Sequence, residues 1–152
     1  MGICFDPTGA IYVVDNQGWT GSKKGAFQGR ILKLGIRGSK IVNTTVVAAG
    51  MEHPNGIRWR DGKLYVTASM LTKVKRDDGL LTSAVYVFPD DAENVRVTNT
   101  LDDDAIVTTF VTKNRHCQYG ADGLVFDSAG NLYVGNFGDG ALHKITFDEG
   151  GR

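Results

Sequence analysis

The sequence predicts an all-β fold built from three repeated antiparallel sheets, and three observations predict it. One opening pattern recurs three times along the 152 residues. Apolar residues alternate with a period of two and are rich in Val, Ile, Tyr and Phe, which suit a pleated, half-buried surface. The segments between them are short and carry Asp, Ser, Pro and Gly, which reverse the chain tightly. Nothing combines a helix cap with helical periodicity.

The first repeat opens with MGICFDPTGAIYVVDN from Met1 and the third with DGLVFDSAGNLYVGNF from Asp122. The second opens with NGIRWRDGKLYVTAS from Asn55, one residue shorter in its turn. Each holds Gly, then Ile or Leu, any residue, then Phe or Trp; a turn follows, then Ile or Leu, Tyr and Val. The offsets are 55 − 1 = 54 and 122 − 55 = 67 residues. Strand-built repeats of about 40–50 residues are the mark of propeller blades. The chain therefore divides into blades over 1–54, 55–121 and 122–152 of a single propeller-type domain. Gly2–Asp6, Gly56–Trp59 and Gly123–Asp127 are the expected innermost strands. GRILKLGI and KIVNTTVVAAG complete the first blade, and SAVYVFPD and AIVTTFVTK the second. ALHKITFD adds a third strand to the last blade, which lacks a fourth, giving eleven strands.

Composition excludes several classes. Lys+Arg and Asp+Glu both number 17, so the net charge is zero and neither nucleic acid nor an anionic membrane is the expected partner. No apolar run approaches the ~20 residues that span a bilayer. The start lacks a signal-peptide pattern, which leaves the cytoplasm as the default compartment. Cys4 and Cys117 form neither a CxxC unit nor a zinc pattern and read as small buried or half-buried thiols. Gly-x-Ser-x-Gly, Walker and His-Glu-x-x-His motifs are absent, so serine hydrolase, NTPase and zinc protease chemistries have no support.

Asn55 and Asp122 hold one register, immediately before the glycine of an innermost strand. Singly, such residues are turn formers. Their recurrence brings an amide oxygen and a carboxylate to one channel mouth from adjacent blades. Hard oxygen donors of that kind suit calcium. Asn136, and Asp15 with Asn16, end second strands near the same mouth and are candidates for the substrate or the metal surroundings. His53 and His116 precede the two ligand motifs and could exchange protons near neutral pH. His143, on an outer strand, reads as structural. Two long loops, DNQGWTGSKKGAFQG and SMLTKVKRDDGLLTS, rim the opening. They bring Lys23, Lys24, Lys73, Lys75 and Arg76, which suit a carboxylate, sugar acid or phosphoester, and Trp19 and Met70 for apolar contact.

HPNGIRW and YGADGLVFDSAGNLYVGNFGDGALHKI resemble the six-bladed propellers of the gluconolactonase and senescence-marker-protein family. They are also similar to related lactonases and to the calcium-dependent phosphotriesterase diisopropyl fluorophosphatase. The resemblance implies a divalent cation, commonly calcium, on the channel axis, with Asn55 and Asp122 as ligands and Asp122 as nucleophile or general base. It implies hydrolysis of a lactone or another ester, and it makes the chain about half of a six-bladed ring. The family's first-blade glutamate has no counterpart here, and the register of a further ligand asparagine falls on Met1. Two accounts follow: a fragment of a longer propeller, or a half-propeller completed as a homodimer. The rival function is a non-catalytic propeller module that binds a small ligand or a protein.

Overall fold

The computed structural model describes residues 1–17 and 26–148. Trp19, Lys23 and Lys24 lie outside them. Twelve strands and no helix occur among the described residues: β1 (Ile3–Phe5), β2 (Ile11–Asp15), β3 (Gly29–Arg37), β4 (Lys40–Met51), β5 (Pro54–Arg60), β6 (Lys63–Ala68), β7 (Leu81–Pro89), β8 (Val95–Arg96), β9 (Ile106–Thr112), β10 (Ala121–Phe126), β11 (Leu132–Asn136) and β12 (Ala141–Ile145). They form three sheets, ordered β1-β2-β3-β4-β8, β5-β6-β7-β9 and β10-β11-β12. The all-β class, the three sheets and the three opening strands agree with the repeat pattern.

The turns explain the repeat spacing. Asp6 accepts hydrogen bonds from the Thr8 and Ala10 amides at 2.8 and 3.0 Å, and Gly9 takes φ +88°. Asp127 does the same for Asn131 at 2.8 Å, with Gly130 at φ +91°. The second repeat instead reverses through Asp61 and Gly62 at φ +49° and +74°, between the paired residues Arg60 and Lys63. Positive φ at both central residues is the type I′ hairpin turn. A tighter turn removes the one residue by which this repeat is shorter.

Period-two alternation sends side chains to opposite faces, and the middle sheet is buried on both. Leu64, Val66, Tyr86 and Phe88 face the first sheet, where they meet Tyr12, Val14, Ile31 and Met51. Tyr65 and Val85 face the third sheet and meet Leu124, Leu132 and Val134. The opening strands touch each other through their glycines. A Cβ on Gly2 would stand 2.8 Å from the Asn55 carbonyl oxygen, and one on Gly56 would stand 2.6 Å from that of Asp122. The repeated glycine is thus the residue that lets β1 lie on β5 and β5 on β10.

One strand departs from the expected eleven. β8 pairs in parallel with β4, Ala48 opposite Val95 and Ala49 opposite Arg96, so the link from β7 to β9 returns to the outer edge of the first sheet. Asn99 anchors this link, donating to the Gly50 carbonyl at 2.7 Å and accepting from the Glu52 amide at 2.9 Å. The link covers an edge that would otherwise present unpaired backbone groups.

Candidate functional site at the opening strands

β5 and β10 carry the same irregularity. The register of β5 against β6 shifts between Pro54 and Ile57, and that of β10 against β11 shifts between Ala121 and Leu124. Asn55-Gly56 and Asp122-Gly123 are the residues inside these two shifts. A bulge re-aims side chains that strict alternation would send elsewhere. Here it turns an amide and a carboxylate toward each other: Asn55 Nδ2 donates to Asp122 Oδ1 at 2.5 Å, across 67 residues of sequence. Both side chains are half-buried.

Thr67, on β6 and fully buried, holds the pair at this distance. Its hydroxyl accepts from the Gly56 amide at 2.8 Å and donates to the Asp122 carbonyl at 2.5 Å. Sequence reasoning missed it. The only signal is that Thr67 stands where the other two repeats place Val14 and Gly135.

The bond from Asn55 fixes the Asp122 carboxylate through Oδ1. Asn55 Oδ1 accepts from the Met1 ammonium at 3.0 Å, so it already meets a positive charge. His53 sits beside the pair, with φ +47° and its ring centroid 5.0 Å from that of Tyr119. Burial pushes its imidazole below the usual 6.5, against a backbone hydrogen bond that raises it; the Met1 ammonium adds to the lowering and the Asp122 carboxylate opposes it. His53 is therefore neutral at pH 7.

The other candidates have different surroundings. Asn136 is buried between the second and third sheets, accepting from Thr112 Oγ1 at 3.2 Å and the Asp139 amide at 3.3 Å. Its Nδ2 is buried and unpartnered among the described residues, as is Asn16 Oδ1. Asp15 is tied down by Arg30 at 2.8 Å and by the Gln17 amide at 2.9 Å. These bonds outweigh burial and keep its carboxyl below the usual range. His116 is exposed, its amide held by Asn114 Oδ1 at 3.0 Å. Lys73 turns away from its neighbours, donating to the Thr98 carbonyl at 2.8 Å with its ammonium 4.8 Å from the Phe27 ring centre. Lys75 and Arg76 instead line a cavity with Met70. His143 packs its ring 4.7 Å from that of Phe110.

Among the described residues no group of three or more His, Cys, Asp or Glu converges as a metal centre. Asn55 and Asp122 carry one neutral and one charged oxygen donor of the kind a hard cation takes, but it is the Asn55 Nδ2 that faces the Asp122 carboxylate, while Asn55 Oδ1 meets the Met1 ammonium. Two side chains are fewer than the six to eight oxygens, or about that, which calcium takes. No helix among the described residues is long and apolar enough to cross a membrane. The chain matches no family model, and no curated protein matches it.

Proposed function

We propose that this chain is half of a six-bladed β-propeller and carries part of the site of a calcium-dependent hydrolase acting on a lactone or a related ester. The observation that carries the proposal is the 2.5 Å contact between Asn55 and Asp122, built from two sheets on equivalent bulges. Asn55 Oδ1 and an Asp122 oxygen would hold the cation, which when bound supplies Lewis-acid polarisation of the substrate carbonyl and a more acidic water. Asp122 would accept the proton of the attacking water, and the Asn55 amide, bonded to its Oδ1, would keep the carboxylate oriented for it. Neutral His53, beside the pair, is the second group able to carry a proton near pH 7.

The remaining donors come, on this proposal, from water, substrate and a second copy of the chain. The outer faces of the first and third sheets support a paired arrangement. Ile3 and Phe5 on β1 are 61% and 74% exposed, and Val125 and Leu142 on the third sheet 53% and 70%. A Cβ on Gly123 would meet nothing within 4 Å, whereas Gly2 and Gly56 are each covered by the next opening strand. A second copy seated on that face would supply the missing neighbour and bury both apolar faces.

Calorimetric titration with calcium tests the site, using wild type, Asp122→Ala and Asn55→Ala. Asp122→Ala should lose the greater affinity, because it removes a charge as well as a donor. Equal binding by wild type and Asp122→Ala would refute the assignment. Light scattering tests the pairing: a species of 16.4 kDa at micromolar concentration would exclude the homodimer. Lactone hydrolysis abolished by a chelator and restored by calcium is the outcome expected of the assembled enzyme.

A further inference from the structure

A cavity of about 400 Å³ lies between the β6–β7 loop and the β9–β10 loop. Neither Asn55 nor Asp122 lines it, and it stands whether or not that pair binds a cation. Three cations line it, Lys75, Arg76 and Arg115, and no lining residue is acidic. Arg76 is committed to Asp78, through bonds of 2.9 and 2.5 Å. Lys75 and Arg115 form no ion pair among the described residues, although Glu52 acts on Lys75 and Asp78 on Arg115 through space, and they are the cations left to meet a ligand. Arg115 reaches in over Gly79, whose missing Cβ would stand 3.6 Å from a guanidinium nitrogen, and whose φ of +66° suits glycine.

Both walls are built rather than loose. In the β6–β7 loop the Leu71 amide bonds to the Thr82 carbonyl at 2.7 Å, and the Leu80 amide to Asp78 Oδ1 at 3.0 Å. Buried Glu52 anchors the same loop from below, accepting from the Thr72 amide and hydroxyl at 2.6 Å each. Opposite, Asp139 Oδ1 accepts from the Lys113 and Asn114 amides at 2.9 Å each. Between the cationic rims the lining is aliphatic, from Val74, Leu80 and Leu81. Thr82, also in the lining, keeps a buried hydroxyl with no partner among the described residues.

The volume falls within the range of about 300–1,000 Å³ usual for small-molecule sites, and the composition, apolar walls with a few convergent polar groups, is typical of them. We propose that this cavity binds a small organic anion with an apolar body, its carboxylate held between Lys75 and Arg115 and its hydrocarbon part against Val74, Leu80 and Leu81. An arginine suits a planar carboxylate through paired donors, and the lysine adds a point charge from the other side. An inorganic anion would satisfy the charges but leave the aliphatic wall against water.

Cys117 also lines the cavity and is half-buried, so its alkylation reports occupancy. The other thiol does not interfere: Cys4 is buried, and burial pushes it up to about 11. The experiment measures the rate at which neutral iodoacetamide alkylates Cys117 in the full chain, with phenylacetate as the probe. Phenylacetate should slow the reaction saturably, with half-effect at about 1 mM, as befits a small ligand. Phenylacetamide, isosteric and uncharged, should need about tenfold more, and so should phenylacetate against Lys75→Ala or Arg115→Ala, since a bond to a charged group is worth roughly that factor. Both side chains lie at the surface, so the variants fold. Equal protection by the amide, or undiminished protection in both variants, would overturn the proposal. So would absence of protection by phenylacetate, and protection by inorganic phosphate as strong as its own would reassign the cavity to inorganic anions.

Discussion

Adding one methyl group to Gly56 tests whether the opening strands are held together through their glycines. The new Cβ would lie 2.6 Å from the Asp122 carbonyl oxygen and 2.6 Å from Leu124 Cδ2, against the 3.4 Å at which contact becomes ordinary. Leu124 can rotate its methyl aside. The carbonyl is backbone, bonded to Thr67 at 2.5 Å, and can yield only if β10 moves away from β5 by several tenths of an ångström. Overpacking of that kind costs about 1–3 kcal/mol. The positive control is Gly2→Ala, where the clash at 2.8 Å is with the Asn55 carbonyl and the Ile57 amide nitrogen. The negative control is Gly123→Ala, whose Cβ would enter open space. That substitution should leave monomer stability within roughly 1 kcal/mol and raise it slightly, by restricting the unfolded chain. Urea unfolding followed by tryptophan fluorescence measures all three. Gly56→Ala as stable as wild type, or Gly123→Ala as damaging as Gly56→Ala under monomeric conditions, would refute the reasoning.

Thr67→Val preserves shape but strips the Gly56 amide and the Asp122 carbonyl of their shared partner, so urea unfolding should register a loss of about 1–3 kcal/mol. Glu52→Ala should cost a similar ~2 kcal/mol, measured the same way, because it frees two donors on Thr72. Glu52→Gln should cost less than about 1 kcal/mol, since its amide can meet the Thr72 amide with its oxygen and the hydroxyl with its nitrogen. His53 predicts a pH effect. Its folded pKa lies below 6.5, so the stability it contributes is complete above 6.5 and is lost as pH falls toward the lower folded value. The stability difference between wild type and His53→Gln should therefore shrink as pH is lowered through that window. A difference independent of pH would show that the imidazole is not desolvated.

The repeats were legible because the geometry demands particular residues at fixed places. Glycine is needed where opening strands cross, and Asp-Gly combinations where strands reverse, so both recur in register. The Asn55–Asp122 pair was legible for the same reason, as a departure from apolar character at one repeat position. β8 was not. It is two residues long, Val95–Arg96, and it pairs in parallel with a strand that ends 44 positions earlier, at Met51. Its existence depends on where the β7–β9 link comes to rest. Thr67 was hidden because a threonine on a buried strand looks like a valine until its two partners are seen. The separation of Lys73 from Lys75 was hidden too. Glu52, bonded to Thr72, fixes the path of that loop, and nothing in a run of lysines and arginines says which of them turns outward.

These features are mechanically one. The bulges in β5 and β10 aim the polar side chains, Gly56 within the first lets β10 approach, and Thr67 ties the two bulges through backbone atoms. Substituting the glycine moves the carboxylate as surely as substituting the carboxylate itself. Sheet spacing is thus a variable to which the candidate site is sensitive, because separating the two strands shifts the Asp122 carboxylate relative to Asn55, to which it is bonded at 2.5 Å. It follows that Gly56→Ala should weaken calcium binding without touching either proposed ligand, in proportion to its effect on stability. Thr67→Val should act the same way, through the same displacement. Calcium affinity retained in full by a clearly destabilised Gly56→Ala protein would separate the ligand geometry from the sheet packing, and would count against a site assembled from two sheets.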